Sequence, residues 1–215
     1  MRKFVHCAAA LLLAGISLSA AAQLTAGTKD TPRATFYAGY SRLNYSAQTV
    51  PVNVTAESNG FIVSAAYNYN ATFSLVAEYG RYGIDSFDNY VLPANTTMSG
   101  YLQTYMAGPK VSFHYGRFSP FAQALFGASS GPVTVTTSGT AVTTPSHGFA
   151  MGLGAGLDYK LTKHFSVRPA QAEYVPTFFT NRYTSEGPTA YRFGDGGTDK
   201  QLNNYILTGG VVYNF

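Results

Sequence analysis

The chain has 215 residues and a formal charge of +4, but only 11% of positions are charged while 15% are Tyr or Phe, with no Trp. A soluble domain carries about 25% charged residues, so polar surface is scarce here, and no basic block points to nucleic acid. Past the N-terminal segment no stretch approaches the roughly 20 apolar residues of a spanning helix. A transmembrane β-barrel, whose strands alternate apolar and polar positions, meets both conditions.

The first element reads as a secretory signal. Met1–Lys3 is basic, "AAALLLAGISL" (8–18) is apolar, and Ala20–Ala22 supplies small residues for cleavage after Ala22. The expected organisation is a signal peptide over 1–22, a short periplasmic segment over 23–33 and a barrel domain over 34–215. Cys7, the one cysteine, leaves with the signal, so disulfides and thiolate metal sites are excluded. No cofactor or metal is expected.

Eight stretches then alternate with period 2 between turn residues. They are "ATFYAGYSRL" (34–43), "GFIVSAAYNY" (60–69), "FSLVAEYGRY" (73–82), "LQTYMAGPKVSF" (102–113), "FSPFAQALFG" (118–127), "GFAMGLGAGLDY" (148–159), "FSVRPAQAEYVPT" (165–177) and 202–215. A tilted strand needs roughly 9–11 residues to cross a bilayer, and these reach that length. The connections alternate strictly: 70–72, 114–117 and 160–164 are short, whereas 44–59, 83–101, 128–147 and 178–201 are long. Short periplasmic turns and long outer loops are the pattern of an up-and-down barrel with both termini periplasmic. The predicted fold is therefore all-β, an eight-stranded antiparallel transmembrane barrel that must close, since an open edge in hydrocarbon leaves backbone groups unpaired.

The parity assigns the faces. Phe149, Met151, Leu153, Ala155, Leu157 and Tyr159 point to lipid, with Gly152, Gly154, Gly156 and Asp158 opposite them. Phe61, Val63, Ala65, Tyr67 and Tyr69 likewise point outward, and aromatics gather near strand ends as an interfacial girdle. Glu78, Lys110 and Asp158 fall on the inward parity. Arg168 and Glu173 have opposite parity on one strand, but one extra residue at Pro169 would turn Arg168, Gln171 and Glu173 to the same side. Pro109 poses the same question. An eight-stranded interior is just filled by side chains, so these charges are expected to pair into a plug. A gated ion path is the alternative.

In "AGLDYKLTKHFSVR", "AEYVPT", "AGPKVSF", "PFAQALFG" and the final aromatic strand the chain resembles the eight-stranded outer-membrane barrels of the outer membrane protein A and X type. The resemblance implies an interior network in which Glu78, Lys110, Asp158 and Arg168 pair, with Glu173 joining them if the bulge exists. It also implies that the C-terminal strand, with Tyr213 and Phe215, is the signal read by the barrel assembly machinery. The chain stops at Phe215, so the periplasmic peptidoglycan-binding domain of outer membrane protein A is not expected.

Catalytic candidates are few. His114 and His164 fall in predicted turns, and Ser146-His147 cannot form a dyad because adjacent strand residues face opposite ways. Asp85, Asp88 or Glu186 would have to supply a partner from a loop. "GLGAGL" (152–157) lies inside a strand, where a phosphate loop cannot form, and Glu186, Asp195 and Asp199 lack a calcium-loop pattern. "VTVTT" in the third long loop could extend a hairpin beyond the membrane and recruit a partner by strand addition. The expected function is non-enzymatic: a monomeric barrel in outer-membrane lipid that supports envelope integrity and presents surface loops. The alternatives are a narrow porin-like channel and a lipid-modifying enzyme.

Overall fold

The computed structural model describes residues 32–49, 52–84, 96–144, 147–179 and 201–215; the expected signal peptide lies outside them. Ten strands occur among these residues: β1 (Ala34–Thr49), β2 (Val52–Asn68), β3 (Phe73–Ile84), β4 (Thr96–Ser112), β5 (Phe118–Ser130), β6 (Val133–Thr137), β7 (Thr140–Thr144), β8 (His147–Lys160), β9 (Phe165–Phe179) and β10 (Gln201–Asn214). Every pairing is antiparallel, and the ring runs β1-β2-β3-β4-β5-β8-β9-β10 before β10 returns to β1. It is the closed eight-stranded barrel that the alternation requires. β6 and β7 form a hairpin, and β6 pairs back onto Thr96–Gly100 of β4.

Predicted and observed strands agree within a residue or so at the short-turn end and diverge at the loop end, where β1, β2 and β4 run several residues further. The cause is solvent. Beyond the membrane both faces of a strand meet water, so the apolar–polar alternation fades while the backbone ladder continues. The hairpin β6–β7 belongs to the same extension. Its turn places Ser138 and Gly139 at φ 49° and 84°, as a two-residue primed turn requires.

The short turns are fixed by local donors. Asn70 Oδ1 accepts the N–H groups of Thr72 and Phe73 at 2.8 and 2.7 Å. Thr162 Oγ1 does the same for His164 and Phe165 at 3.3 and 3.0 Å. Between β4 and β5, Tyr115 and Phe118 exchange backbone hydrogen bonds around Gly116 at φ 62°, the type II′ arrangement with glycine at the first central position.

The outward parity is apolar throughout the span. Rows of small residues cross neighbouring strands, Ala65–Ala77–Ala107 on one side and Ala122–Ala155–Ala172 on the other. Aromatic rings bound them. At the turn end stand Tyr67, Tyr69, Phe118, Tyr159, Phe165, Tyr213 and Phe215, with Tyr213 5.1 Å from Phe165 and 4.7 Å from Phe215. At the loop end stand Tyr40, Phe61, Tyr79, Tyr105, Phe149 and Tyr205. From Phe149 to Tyr159 β8 climbs roughly 25 Å along the axis, taking about 3.3 Å per residue and a tilt of about 40°. That matches the hydrocarbon band of a membrane barrel.

Inside, large rings lie over glycines. A Cβ on Gly156 would fall 2.6 Å from the Phe121 ring, and one on Gly80 would meet the Tyr82 hydroxyl at the same distance. Inward glycine is thus a space for a neighbouring ring. Gly156→Val is expected to lower the urea midpoint of unfolding in detergent micelles by the equivalent of about 1–3 kcal/mol through overpacking. Gly152→Ala is the control: its methyl would meet only the flexible end of Met106 and the Leu125 Cβ, at 3.4–3.6 Å, and its midpoint should scarcely move. Equal midpoints for both variants would contradict this packing.

Candidate functional site

The strand alternation that coats the barrel with hydrocarbon-compatible groups delivers a buried polar set to its axis: Glu78, Lys110, Gln123, Arg168, Gln171 and Glu173, with hydroxyls of Ser41, Ser64, Thr104 and Thr208. Arg168, Glu173, Glu78 and Lys110 are only 3–8% exposed. Buried charge is tolerated only when paired and hydrogen-bonded, so the partners matter.

Two layers hold most of them, although Glu173 Oε2 and Gln171 Nε2 are buried without a hydrogen-bond partner among the described residues. Nearer the short turns, Arg168 Nε and Nη2 donate to the two oxygens of Asp158 at 2.6 and 3.0 Å, a bidentate pair between β9 and β8. Its Nη1 donates to Gln171 Oε1 at 2.5 Å. The guanidinium lies between two rings, 4.1 Å from the Tyr37 centroid and 4.3 Å from that of Phe121. Lys110 Nζ stands 3.6 Å from Asp158 Oδ2 and 4.0 Å from the Phe121 ring. This layer joins β1, β4, β5, β8 and β9.

Further along the axis, Gln123 Nε2 donates to Glu173 Oε1 at 2.5 Å and to Glu78 Oε2 at 3.3 Å. Glu78 is on β3 and Glu173 on β9, the third and seventh members of the eight-strand ring. These strands face each other across the barrel, so the bridge spans its diameter. Towards the loop end the filling is mixed: Leu43, Ile62, Leu102, Leu125, Val175 and Ile206 are buried together with Ser58, Thr104, Ser129, Thr177 and Asn204. Ser41 and Thr208 share a hydrogen bond at 3.1 Å there, and Asn204 Nδ2 donates to the Val175 carbonyl at 2.8 Å.

The five interior charges singled out from sequence all face the lumen, and the bulge that this needs is present. Gly210 pairs with Arg168 and Thr208 with Gln171, so only Gly209 opposes Pro169 and Ala170, which both point outward. On the other flank the register shifts between Leu157 and Tyr159. Pro109 behaves differently. β4 meets β5 in one register on both sides of it, at Ala107–Phe126 and Lys110–Gln123, so it interrupts the ladder without reversing the faces. Sequence reasoning missed Tyr37, Phe121 and Gln123. Gln123 was detectable, since it shares the inward parity of Phe121 and Leu125. The inward rings were hidden because aromatic residues in a barrel read first as girdle.

Of the histidines, His147 is exposed at the start of β8, and its suggested partners Asp85, Asp88 and Glu186, like the neighbouring Ser146, lie outside the described residues. His164 is exposed in a short turn, with Nδ1 3.1 Å from the Asn214 carbonyl oxygen. His114 sits in the turn after β4. Partial burial there, with Lys110 and Lys160 nearby, holds its imidazole below the ordinary range. Among the described residues no group of three His, Cys, Asp or Glu side chains is placed to hold a metal ion.

Solved structures share this architecture. Ail, the attachment invasion locus protein of Yersinia pestis, superposes with a TM-score of 0.56 at 14% identity, over 86% of this chain and 99% of that one. Ail in complex with the heparin analogue sucrose octasulfate gives 0.54 at 16%, over the same shares. Neisserial surface protein A gives 0.51 at 19%, over 84% of this chain and 97% of that one. At such identities the likeness establishes the fold. No curated protein sequence matches the chain. The family model described as outer membrane protein beta-barrel domain matches residues 8–215, and with strands, closure and belts in agreement, the chain belongs to that family.

Proposed function

We propose that the protein is a non-conducting outer-membrane barrel whose filled interior stiffens it, and whose loop end presents surface segments to the exterior. The observation that carries this reading is the Glu78–Gln123–Glu173 bridge, which joins strands on opposite sides of the barrel. The Arg168–Asp158–Lys110 layer lies beside it. A continuous water column would have to break both. In this reading residues 1–22 are the cleaved signal, the termini are periplasmic, Tyr213 and Phe215 hand the chain to the assembly machinery, and the barrel is a monomer.

The test is conductance. Purified protein inserted into planar bilayers in molar salt should give no steady unitary openings. Reproducible openings would falsify the filled-axis reading and favour the porin-like alternative. Enzyme chemistry has little to support it: His114 and His164 lie in short turns, and His147 is exposed at the start of β8. Incubation with lipid A or phospholipid should yield no new acyl products.

A surface-partner role has one specific support. Among the described residues β7 pairs with β6 alone and stands at the end of the sheet, in a hairpin that projects beyond the aromatic belt. Ail, which shares this fold, is solved in complex with the heparin analogue sucrose octasulfate.

A further inference from the structure

The outward face is free of charge through the hydrocarbon band, and charge first appears at the loop-side aromatic belt and just past it. Arg42 on β1 and Arg81 on β3 are both exposed on the outward parity. Arg42 is neutralised by an ion pair with Glu57. Arg81 forms no ion pair among the described residues. It lies beside Phe61 on β2 and Gln103 on β4 in the strand register, one rung beyond the Tyr79–Tyr105 pair.

Its guanidinium is held in place. The Arg81 Cζ stands 4.4 Å from the Tyr101 ring centroid, so one face is covered and its N–H edges remain free. The neighbouring polar groups are arranged as donors. Tyr105 Oη donates to Gln103 Oε1 at 3.3 Å, and Gln103 Nε2 donates to Tyr79 Oη at 2.9 Å. In that chain the Gln103 carbonyl accepts one hydrogen bond and keeps a second lone pair, while the Tyr79 hydroxyl proton and the second Gln103 amide proton have no acceptor among the described residues. Among the described residues, arginine, phenol and amide protons on two adjacent strands therefore meet at one spot with no carboxylate beside them.

We propose that Arg81, Tyr79 and Gln103, braced by Tyr101, hold the phosphate of an anionic lipid headgroup in the leaflet at the loop end. Two features select the ligand. The fixed positive charge of Arg81, with a phenol and an amide beside it that can donate, favours an anion, and the guanidinium edge suits phosphate oxygens. The position selects a lipid: the spot opens towards the bilayer, level with the ring of Phe61 and one rung beyond that of Tyr79, the two rings standing 6.0 Å apart edge to face. Belt aromatics mark the headgroup level, and a basic residue just beyond them reaches the phosphate layer. The proposal stands whether or not the axis conducts.

The experiment uses the full barrel in nanodiscs of phosphatidylcholine doped with phosphatidylglycerol. The anionic lipid retained after gentle release is read by native mass spectrometry. The wild type should retain phosphatidylglycerol over phosphatidylcholine. Arg81→Gln should reduce that retention at least ten-fold, Arg81→Lys and Tyr101→Ala partially, and Arg117→Gln, in a turn at the opposite end, not at all. Heat-modifiable gel mobility confirms that each variant is folded; should Arg81→Gln fail to fold, the Lys and Ala variants carry the comparison. Undiminished retention in the Arg81 and Tyr101 variants overturns the proposal. So does displacement of the lipid by millimolar inorganic phosphate, which would mark a site for a free anion.

Discussion

Deleting Pro169 is expected to prevent the barrel from closing, whereas Pro169→Ala should leave it within about 1 kcal/mol of the wild type. The extra residue in β9 lets Ser166 and Arg168 on one side, and Gln171, Glu173, Val175 and Thr177 on the other, all face the lumen. Without it the strand has a single parity, and one of those two sets must turn to lipid. If the first half turns, Arg168 enters hydrocarbon between the turn-end belt and the bilayer centre, at a cost below the roughly 2–4 kcal/mol of the midplane, and Asp158 loses its bidentate partner. If the second half turns, Glu173 enters lipid and the bridge across the axis is gone. The proline ring itself contributes little, because it already faces outward. The measurement is the heat-modifiable band after refolding into micelles. A deletion variant that still migrates as a compact barrel would show that the bulge does not set the faces.

Arg168→Met should give the second-largest loss. Removing one partner of a buried pair leaves the other charged and unsatisfied, which costs about 3–5 kcal/mol. Here Asp158 would keep only Lys110 at 3.6 Å, Gln171 Oε1 would lose its donor, and the space between Tyr37 and Phe121 would lose its cation. Arg168→Lys should recover only part, since a single ammonium cannot span both carboxylate oxygens and stack between two rings. Lys110→Met should cost less than Arg168→Met, because both Asp158 oxygens keep their arginine. Equilibrium unfolding by urea gives the order. If Lys110→Met proved the worse of the two, the centre of the network would have been misplaced.

The barrel could be read from sequence because a membrane imposes a strict code. Every second residue must suit hydrocarbon, so Phe149 to Tyr159 announce both the strand and its faces, and the short turns sit where Asn70, Gly116 and Thr162 cap them. The code lapses where the solvent is the same on both sides. β2 therefore begins at Val52 rather than Gly60, and the pairing of β6 with the outer end of β4 was not foreseen. The interior charges were detectable for the opposite reason, that a rare charge in a strand has one place to go. Their partners were not. Whether Gln123 reaches Glu78 or Lys110 depends on the stagger of neighbouring strands, which alternation leaves unset. Arg81 is a similar case, since its parity is plain but its stacking on Tyr101 depends on how β3 and β4 align.

The seam between β1 and β10 fixes a constraint of another kind. Thr35 faces Asn214 and Ser46 faces Asn203, so the earliest strand of the wall is completed by the latest one. A contact so distant along the chain forms slowly, because the loop entropy must be surrendered before the contact rewards it. Until it forms, two rows of bare amides and carbonyls cannot rest in hydrocarbon. Biogenesis of this protein must therefore shelter its first edge until the last is delivered, and the final zipping should be a single concerted event with no stable half-built wall.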